Sequence, residues 1–343
     1  MSDEDFSARL EAALARHTGK PAKVHGLQRL TGGANRTTMS FDAGMSLDAS
    51  AAAEASDAVG ARRQFIVQLG AQSLDPVAGM MPQITPGEQA RLMIAAARVG
   101  APAPRVVAIL EPADGLGEGY ITERVAGETL GSRIVRDARF AAARRVMARQ
   151  CGEILAAIHR IDSAEVPFLT RQDAAEHVAA HRKLVDHYGF KLPALDLALR
   201  WAAENVPRNQ RLVVLHGDFR TGNLIVGEDG IRCILDWELA QRGDPMQDLG
   251  WLCIRTWRFG GAGPVGGFGS REDLFAAYES ASGHPVDPGH VRFWEAFGNV
   301  KWAVDCLLLG TRGVEEVGIE RSAIGRRIEE PLWDFFNLIE GRQ

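Results

Sequence analysis

An α+β chain in two lobes is predicted by this sequence, with a small N-terminal β-sheet lobe and a larger, mainly helical C-terminal lobe. Short strand-like segments dominate residues 1–125, and long helical patterns dominate residues 126–343. A run of strands followed by a run of helices is typical of α+β proteins. The length of 343 residues is also too great for one small core, which favours two units.

The elements of the first lobe follow from hydrophobic periodicity. Apolar residues from Phe6 to Leu14 have the spacing of a short amphipathic helix, and a second helix is predicted from Pro86 to about Gly100. Residues 42–60 are rich in Ala, Ser and Asp, which predicts an extended connection without a packed element. Strands are predicted at residues 24–30, 39–41, 65–69, 105–110 and 119–125.

The second lobe is predicted to be helical except for one region. A long helical pattern runs from Phe140 to Ile161. Between residues 212 and 238, two short apolar runs, Leu212–Leu215 and Ile231–Leu235, flank a polar loop and a glycine turn. This arrangement predicts two short strands that present the loop between them.

Charge and composition exclude several classes of protein. The formal net charge is -5, so the chain lacks the cationic surface that nucleic-acid binding requires. The N-terminus has no basic segment followed by an apolar one, and no apolar run reaches about 18 residues, so neither a signal peptide nor a membrane span is expected. The four cysteines lie far apart, as reduced core residues of a cytoplasmic protein do. We therefore expect a soluble, cytoplasmic protein.

The most informative motif is LHGDFRTGNLIV at residues 215–226. It matches the H-x-D-x-x-x-x-N pattern of kinase catalytic loops, with Gly217 where protein kinases usually carry Arg. Phosphoryl transfer requires positioning and charge neutralisation, so Asp218 is predicted to accept or orient the proton of the attacking hydroxyl. Asn223 and Asp236 are predicted to bind Mg²⁺. Turn formation or capping could explain each residue alone, but the joint spacing favours kinase chemistry.

Two segments also carry a family resemblance. HGDFRTGNLIV and the later ILDWELAQRGDPMQDLGWL resemble the aminoglycoside phosphotransferase and choline kinase superfamily, in particular the branch similar to kinase-like modules fused to acyl-CoA dehydrogenases. The resemblance implies a protein-kinase-like fold, with residues 1–125 as the nucleotide-binding lobe and residues 126–343 as the catalytic and acceptor-binding lobe. It also implies Mg²⁺-dependent transfer of the γ-phosphate of ATP or GTP to a small-molecule hydroxyl.

The same resemblance assigns the nucleotide-binding residues. They lie in a glycine loop, on the third strand, on the first-lobe helix and in a hinge that presents backbone groups to adenine: Gly32, Gly33, Asn35, Thr37, Gln68, Glu88, Glu123 and Val125. Without the later motifs, the glycine pair alone would favour a hairpin turn over a phosphate-binding loop. Gln68 stands where related kinases carry a Lys or Arg paired with the helix Glu, and it has no charge with which to stabilise a phosphate. This departure bears on activity more than on fold.

The acceptor side is suggested by residues 249–270, which contain no acidic residue. A polycationic aminoglycoside would need clustered carboxylates, whereas Trp and Arg side chains favour an anionic or hydroxyacyl-type acceptor. Packing in a helical core is the alternative for the Trp side chains. The candidate residues are Trp251, Arg255, Trp257, Arg258 and Phe259, with Asn299, Lys301 and Trp302 as further members of the same wall.

Other functions remain open on the sequence. Gln68 is compatible with a nucleotide-binding pseudokinase that regulates a partner, and a binding protein that uses no nucleotide is a further alternative. His177 and His181 have the i, i+4 spacing of a metal pair, but a solvated helix face is the expected explanation. Asp244 and Asp248 are predicted to support the catalytic loop. The identity of the acceptor, the choice between ATP and GTP, and the oligomeric state are left open.

Overall fold

The computed structural model describes residues 2–30, 37–45, 62–70, 83–208, 210–311 and 319–342. The described residues form two compact units. Those between 2 and 75, together with 84–98 and 103–126, form the first unit, and the others form the second. In the described part of the chain, no helix has the length and hydrophobicity needed to span a lipid bilayer.

The first unit is built on a five-stranded antiparallel sheet in the order β1-β2-β3-β5-β4. Two helices complete it, α1 (Asp3–Thr18) and α2 (Pro86–Arg98). The strands are β1 (Ala22–Arg29), β2 (Thr37–Met45), β3 (Arg63–Leu69), β4 (Val106–Leu110) and β5 (Gly119–Glu123).

The core of the first unit is one hydrophobic cluster. It combines the apolar face of α1 with alternate residues of the central strands. Phe6, Leu10 and Leu14 of α1 are buried, as the helical spacing predicts. Phe41 and Phe65 are direct partners across β2 and β3, and their rings stack with centroids 5.5 Å apart. This cross-strand pair fixes the register of β3, the strand that carries Gln68.

Strand β2 is longer than its sequence suggests. The prediction ended it at Phe41 and began an irregular connection at Asp42, but the strand continues to Met45. Asp42 and Gly44 are poor strand formers and alternate with the buried Phe41 and Ala43, so pairing with both neighbours overrides local propensity. Residues 46–60 of the predicted connection lie outside the described residues.

The second unit is mainly helical. The predicted helix from Phe140 to Ile161 is present as Ala141–Ile158. Its helices are α3 (Gly131–Arg136), α4 (Ala141–Ile158), α5 (Ala174–Tyr188), α6 (Pro193–Glu204), α7 (Met246–Cys253), α8 (Arg271–Ser282), α9 (Pro288–Thr311), α10 (Ile319–Ile324) and α11 (Glu329–Ile339). Two antiparallel pairs, β6 with β9 and β7 with β8, interrupt them: β6 (Val213–Leu215), β7 (Leu224–Gly227), β8 (Gly230–Ile234) and β9 (Gln241–Gly243).

Helix α7 packs very closely against α9. A Cβ atom added at Gly250 would lie 2.7 Å from the Cβ of Trp294 and 2.8 Å from the backbone nitrogen of Glu295. The buried Glu295 carboxylate accepts hydrogen bonds from Arg271 at 2.7 Å and from Arg258 at 3.3 Å. Burial raises the pKa of Glu295, and the two arginines oppose that shift. These contacts fix α7, the helix whose Asp248 and Trp251 side chains bond to the predicted catalytic loop.

Gly250→Ala is therefore expected to destabilise the second unit, because the added methyl group would meet backbone and Cβ atoms that cannot rotate away. We expect the free energy of unfolding to fall by about 1–3 kcal/mol, the usual cost of overpacking a core. Urea denaturation measures the change. Gly44→Ala is the control, since its added methyl group would meet no atom within 4 Å. Equal stability of both variants would contradict the close approach of α7 to α9.

Candidate active site

The loop that follows β6 brings two predicted site residues together. A short turn at Thr221–Asn223 ends this loop and leads into β7. It folds Asn223 back onto Asp218, so that Nδ2 of Asn223 donates hydrogen bonds to the backbone oxygen of Asp218 at 2.9 Å and to its Oδ2 at 2.7 Å. Because both amide hydrogens are used on Asp218, the Oδ1 of Asn223 is the atom that this side chain can offer to a metal ion.

The Asp218 carboxylate is nearly buried and is held by three donors. Trp251 of α7 donates from Nε1 to Oδ1 at 2.7 Å, and Arg220 donates from Nε to both carboxylate oxygens at 3.1 Å. Asn223 completes the set. Sequence reasoning did not single out Arg220 and did not connect Trp251 with Asp218. Arg220 could have been found as a charged residue only two positions after Asp218 in the motif.

Asp236 lies two residues beyond the end of β8 and has a left-handed backbone, with φ of 65°. Asp is one of the few residue types that adopt this region without large cost, and such conformations cluster at functional sites. The preceding residue, Leu235, donates its backbone N–H to the backbone oxygen of Asn223 at 2.8 Å. The backbone thus ties the segment of Asp236 directly to Asn223. One carboxylate and one amide oxygen suit Mg²⁺, which completes its coordination with phosphate oxygens and water.

His216 joins the predicted catalytic loop to the segment of Asp236. The backbone N–H of Asp218 donates to Nδ1 of His216 at 3.2 Å, so Nδ1 is the acceptor and the ring proton is on Nε2. Nε2 then donates to the backbone oxygen of Leu235 at 3.1 Å. Burial lowers the pKa of His216, although the charges of Asp248 and Asp218 oppose the shift. The neutral imidazole therefore acts as a connection between the loop and the residue before Asp236.

Asp248 supports the loop from α7. Its fully buried carboxylate accepts the backbone N–H groups of His216 at 2.8 Å and Gly217 at 2.9 Å, and it also pairs with Nε2 of His159 at 3.2 Å. Burial alone would raise the pKa of Asp248, but its interactions with His159 and His216 outweigh burial and lower it. These contacts agree with the supporting role predicted for Asp248. Asp244 also has buried partners, accepting hydrogen bonds from Met246 and Trp294.

Gly217 can be explained by the space around it. Its φ is 80°, and an added Cβ would lie 2.0 Å from the backbone oxygen of Leu239. A side chain at this position would need both a strained backbone and a displaced neighbouring segment. The glycine in place of the protein-kinase Arg is therefore required by the local geometry of this loop.

Aromatic rings cluster beside Asp218 on the predicted acceptor side. Ring centroids of Trp251 and Trp257 are 5.4 Å apart, and those of Trp257 and Trp302 are 4.9 Å apart. The guanidinium of Arg220 lies over the Trp257 ring at 4.5 Å, and the ammonium of Lys301 lies over the Trp251 ring at 4.3 Å. Trp251 and Trp257 are buried, as the core-packing alternative expects, and Trp251 also bonds to Asp218. Acceptor binding by these rings stays a prediction.

Other residues of the predicted acceptor wall have structural partners. Arg258 donates to the backbone oxygen of Cys253 and to Glu295, and Arg255 is exposed near Asp334. Asn299 is buried within α9 and donates to the backbone oxygen of Glu295. Sequence alone could not show that Arg258 and Arg255 have acidic neighbours, because Glu295 and Asp334 lie far along the chain from them.

The predicted nucleotide residues of the first unit are only partly covered by the described residues. Gly32, Gly33 and Asn35 lie outside them, and Thr37 is the first residue of β2. Gln68 of β3 accepts a hydrogen bond from the hydroxyl of Tyr120 at 2.7 Å. Glu88 caps its own helix, because its carboxylate accepts the backbone N–H of Thr85 at 2.8 Å. Their role in nucleotide binding stays a prediction.

The predicted hinge residues follow the last strand of the sheet. Glu123 ends β5, and its carboxylate pairs with Arg63 of β3 and with Arg105, at 2.7 Å from the latter. Val125 lies two residues beyond the strand. Adenine binding by this segment also stays a prediction.

The prediction of a solvated helix face for His177 and His181 is wrong. Both side chains are buried in α5, against Trp294 and Phe297 of α9. His177 accepts a hydrogen bond from Gln241 at 2.6 Å, and Nδ1 of His181 donates to the backbone oxygen of His177. In the part of the chain that the structure describes, no cluster of three His, Cys, Asp or Glu side chains could hold a metal ion.

Comparison with known proteins identifies the family to which this chain is similar. The family model described as "Phosphotransferase enzyme family" matches residues 60–285. Acyl-CoA dehydrogenase family member 10 of Mus musculus is 38% identical over 65 residues, covering 18% of this chain and 6% of that protein. Family member 11 of Pongo abelii is 26% identical over 275 residues, covering 71% of this chain and 32% of the relative. The chain spans less than a third of the length of these relatives.

Solved structures with the same fold include three phosphotransferases. A putative aminoglycoside phosphotransferase from Ralstonia eutropha has a TM-score of 0.73 at 19% identity, covering 97% of this chain and 98% of its own. A choline/ethanolamine kinase family protein from Mesorhizobium loti has a TM-score of 0.56 at 17% identity, covering 98% and 99%. The GDP complex of an aminoglycoside 2'-phosphotransferase has a TM-score of 0.59 at 13% identity, covering 96% and 99%. The fold is therefore that of protein-kinase-like phosphotransferases.

The buried histidines predict a loss of stability in mild acid. Burial lowers the pKa of His181 to about 4 and that of His177 well below its ordinary value. Because an unfolded His has a pKa of about 6.5, each contributes stability that is fully present above that pH and is lost as pH falls through the pKa of the folded state. Urea unfolding between those pH values should show a decline of up to about 1.4 kcal/mol per pH unit for each group.

The contribution of Asp305 to stability has the opposite pH dependence, because burial raises the pKa of its carboxyl to about 6 from an ordinary value of 3.8. This stability is fully present below the pKa of the unfolded state and is lost as pH rises through about 6. His181→Gln should flatten the acid decline and Asp305→Asn should steepen it. An unchanged slope in His181→Gln would contradict the neutral, buried state of this histidine.

Proposed function

Because the chain belongs to the phosphotransferase enzyme family, we propose that it is a Mg²⁺-dependent kinase that transfers the γ-phosphate of ATP or GTP to a small-molecule hydroxyl. The observation that carries this proposal is the joint placement of Asp218 and Asn223 on one loop, with the segment of Asp236 bonded to it. A solved protein of the same fold was determined with GDP, which supports a nucleotide donor.

Each residue has a defined role in this proposal. Asp218 accepts a hydrogen bond from the acceptor hydroxyl and orients its oxygen for attack. Asn223, through Oδ1, and Asp236, through its carboxylate, would hold Mg²⁺, which when bound neutralises charge on the phosphates. Arg220 and Trp251 keep the Asp218 carboxylate in a single orientation. Positioning of this kind accounts for most of the catalysis in phosphoryl transfer.

We further propose that the acceptor is anionic or of the hydroxyacyl type. Asp218 engages Arg220 through Nε, so the terminal amino groups of the same guanidinium can bind a carboxylate or acyl oxygen beside the reacting hydroxyl. The ring of Trp257 holds the guanidinium plane at 4.5 Å. The acid-free segment 249–270 disfavours a polycation. The names of the curated relatives, which refer to acyl-CoA, support an acyl-type molecule.

A regulatory pseudokinase is the second candidate. Gln68 has no charge and bonds to Tyr120, while Glu88 caps its own helix. Nucleotide binding with no transfer to any hydroxylated molecule would favour this candidate over the kinase.

Mg²⁺ and nucleotide together should raise the Tm of the protein, because a ligand that binds only the folded state stabilises it by mass action. At roughly 100 times the Kd, the expected gain is about 2.7 kcal/mol. A thermal shift assay with ATP or GTP, with and without Mg²⁺, measures it. Asp236→Asn should reduce the part of the shift that depends on Mg²⁺. No shift with either nucleotide would contradict both the kinase and the pseudokinase.

Asp218→Asn should lower kcat by about 10²–10⁴-fold, the usual contribution of a positioned acid or base. The substitution preserves the size of the side chain but replaces one carboxylate oxygen with a donor that faces Trp251, Arg220 or Asn223. Turnover in a coupled ADP-release assay measures the effect. Asp229→Asn, at an exposed position in the β7–β8 turn, is the matched control and should retain full activity. Near-native turnover of Asp218→Asn would rule out the assigned role.

The proposal of an anionic acceptor predicts that the enzyme prefers a negatively charged substrate over a neutral one. A short hydroxy acid should be phosphorylated with a KM about 10- to 100-fold lower than its methyl ester, since a hydrogen bond to a charged group contributes about 1.5–3 kcal/mol. Arg220→Gln should abolish this difference in KM by raising the KM of the hydroxy acid, while the KM of the ester should change much less. If a neutral alcohol is used as well as the hydroxy acid, the acceptor is not selected by its charge.

A further inference from the structure

A small cavity lies beneath the catalytic loop of the second unit. Its volume is about 10 Å³, and its lining includes His177 of α5, Gly217 of the loop, Gln247 and Trp251 of α7, and Lys301 of α9. A volume of this size accommodates one water molecule when polar groups face it. Two of the lining side chains have polar hydrogens that their protein neighbours do not fully use.

His177 is the first of them. Nε2 of Gln241 donates to Nε2 of His177 at 2.6 Å and to Oε1 of Gln247 at 3.2 Å, which fixes the orientation of the Gln241 amide. Nε2 of His177 is therefore an acceptor, and the ring proton is on Nδ1. Among the described residues, this fully buried Nδ1 has no hydrogen-bond partner. A buried N–H group without an acceptor is destabilising, so an acceptor is expected nearby.

Lys301 is the second. Its side chain is buried, and its ammonium donates to the backbone oxygen of Gly217 at a long 3.4 Å while it lies over the ring of Trp251. An ammonium carries three hydrogens, and a buried charge needs strong hydrogen bonds to offset its lost hydration. Lys301 lines the same cavity as His177.

We propose that the cavity holds one ordered water molecule. Its oxygen accepts hydrogen bonds from Nδ1–H of His177 and from the ammonium of Lys301, and one of its hydrogens is donated to the backbone oxygen of Gly217. Two convergent donors call for an oxygen with two lone pairs, and the positive charge of Lys301 disfavours a metal cation at the same place. A bound water leaves the net charge unchanged.

This water connects α5 to the catalytic loop. Gly217 precedes Asp218, and the Trp251 ring under Lys301 donates its Nε1–H to Asp218. His177 and Lys301 thus become positioning residues that act on the two neighbours of Asp218 through the water. The burial of a polar histidine in an aromatic environment is then explained by a hydrogen bond that supports the loop.

A high-resolution crystal structure of the unmodified protein tests the proposal directly. We expect a single density peak within hydrogen-bonding distance of Nδ1 of His177 and Nζ of Lys301. An empty cavity would overturn the proposal. So would an anomalous peak at this site in crystals soaked in bromide, because it would identify a halide.

The tautomer of His177 provides a second, independent test. Nitrogen-15 NMR of the imidazole should show the proton on Nδ1, and a proton on Nε2 would overturn the hydrogen-bond assignment. His177→Phe should lose the water, whereas His181→Phe, on the same helix but outside the cavity lining, should keep it. A water retained in His177→Phe would also count against the proposal. None of these measurements depends on kinase activity, so they are independent of the proposed function.

Discussion

The carboxylate of Asp248 is the group on which the candidate site depends. Two successive backbone N–H groups, of His216 and Gly217, point into the interior at a turn that only glycine can form, and neither can reach water. Buried N–H groups must be paired, and Asp248 pairs both at once. Because His216 is fixed in this way, its ring can accept a hydrogen bond from the backbone N–H of Asp218 and donate one to the backbone oxygen of Leu235. The second bond positions the segment that carries Asp236.

Burying a carboxylate is costly, and the helical unit offsets that cost through a chain of partners. His159, which follows α4 directly, pairs with Asp248 and with the hydroxyl of Tyr278 from α8, so three parts of the helical unit share the charge of one residue. Glycine at position 250 brings α7 against α9, and Glu295 joins two arginines nearby. Removal of one partner from such a network leaves an uncompensated charge, which is far more destabilising than the net contribution of the pair.

The part of the site that the sequence predicts is the part formed by neighbours along the chain. Asn223 bonds to Asp218 across five residues, so the motif spacing already contains their geometry. Trp251 and Lys301 reach the loop from 33 and 84 residues away, and no local pattern reports such contacts. The same limit explains the wrong expectation for His177, whose aromatic neighbours belong to α9. The order of strands and helices was predictable from periodicity, whereas the extension of β2 depended on pairing with both neighbours.

The environment of Asp218 bears on how the proposed transfer would occur. A carboxylate that accepts from Trp251, Arg220 and Asn223 has most of its lone pairs occupied and few left to take up a proton. Phosphoryl transfer through a loose transition state needs little deprotonation before attack, because the nucleophile contributes little bonding at that stage. Three fixed donors therefore fit a residue whose task is to aim a hydroxyl group. The same donors would hinder a reaction in which Asp218 had to remove a proton early, and this favours orientation as its contribution.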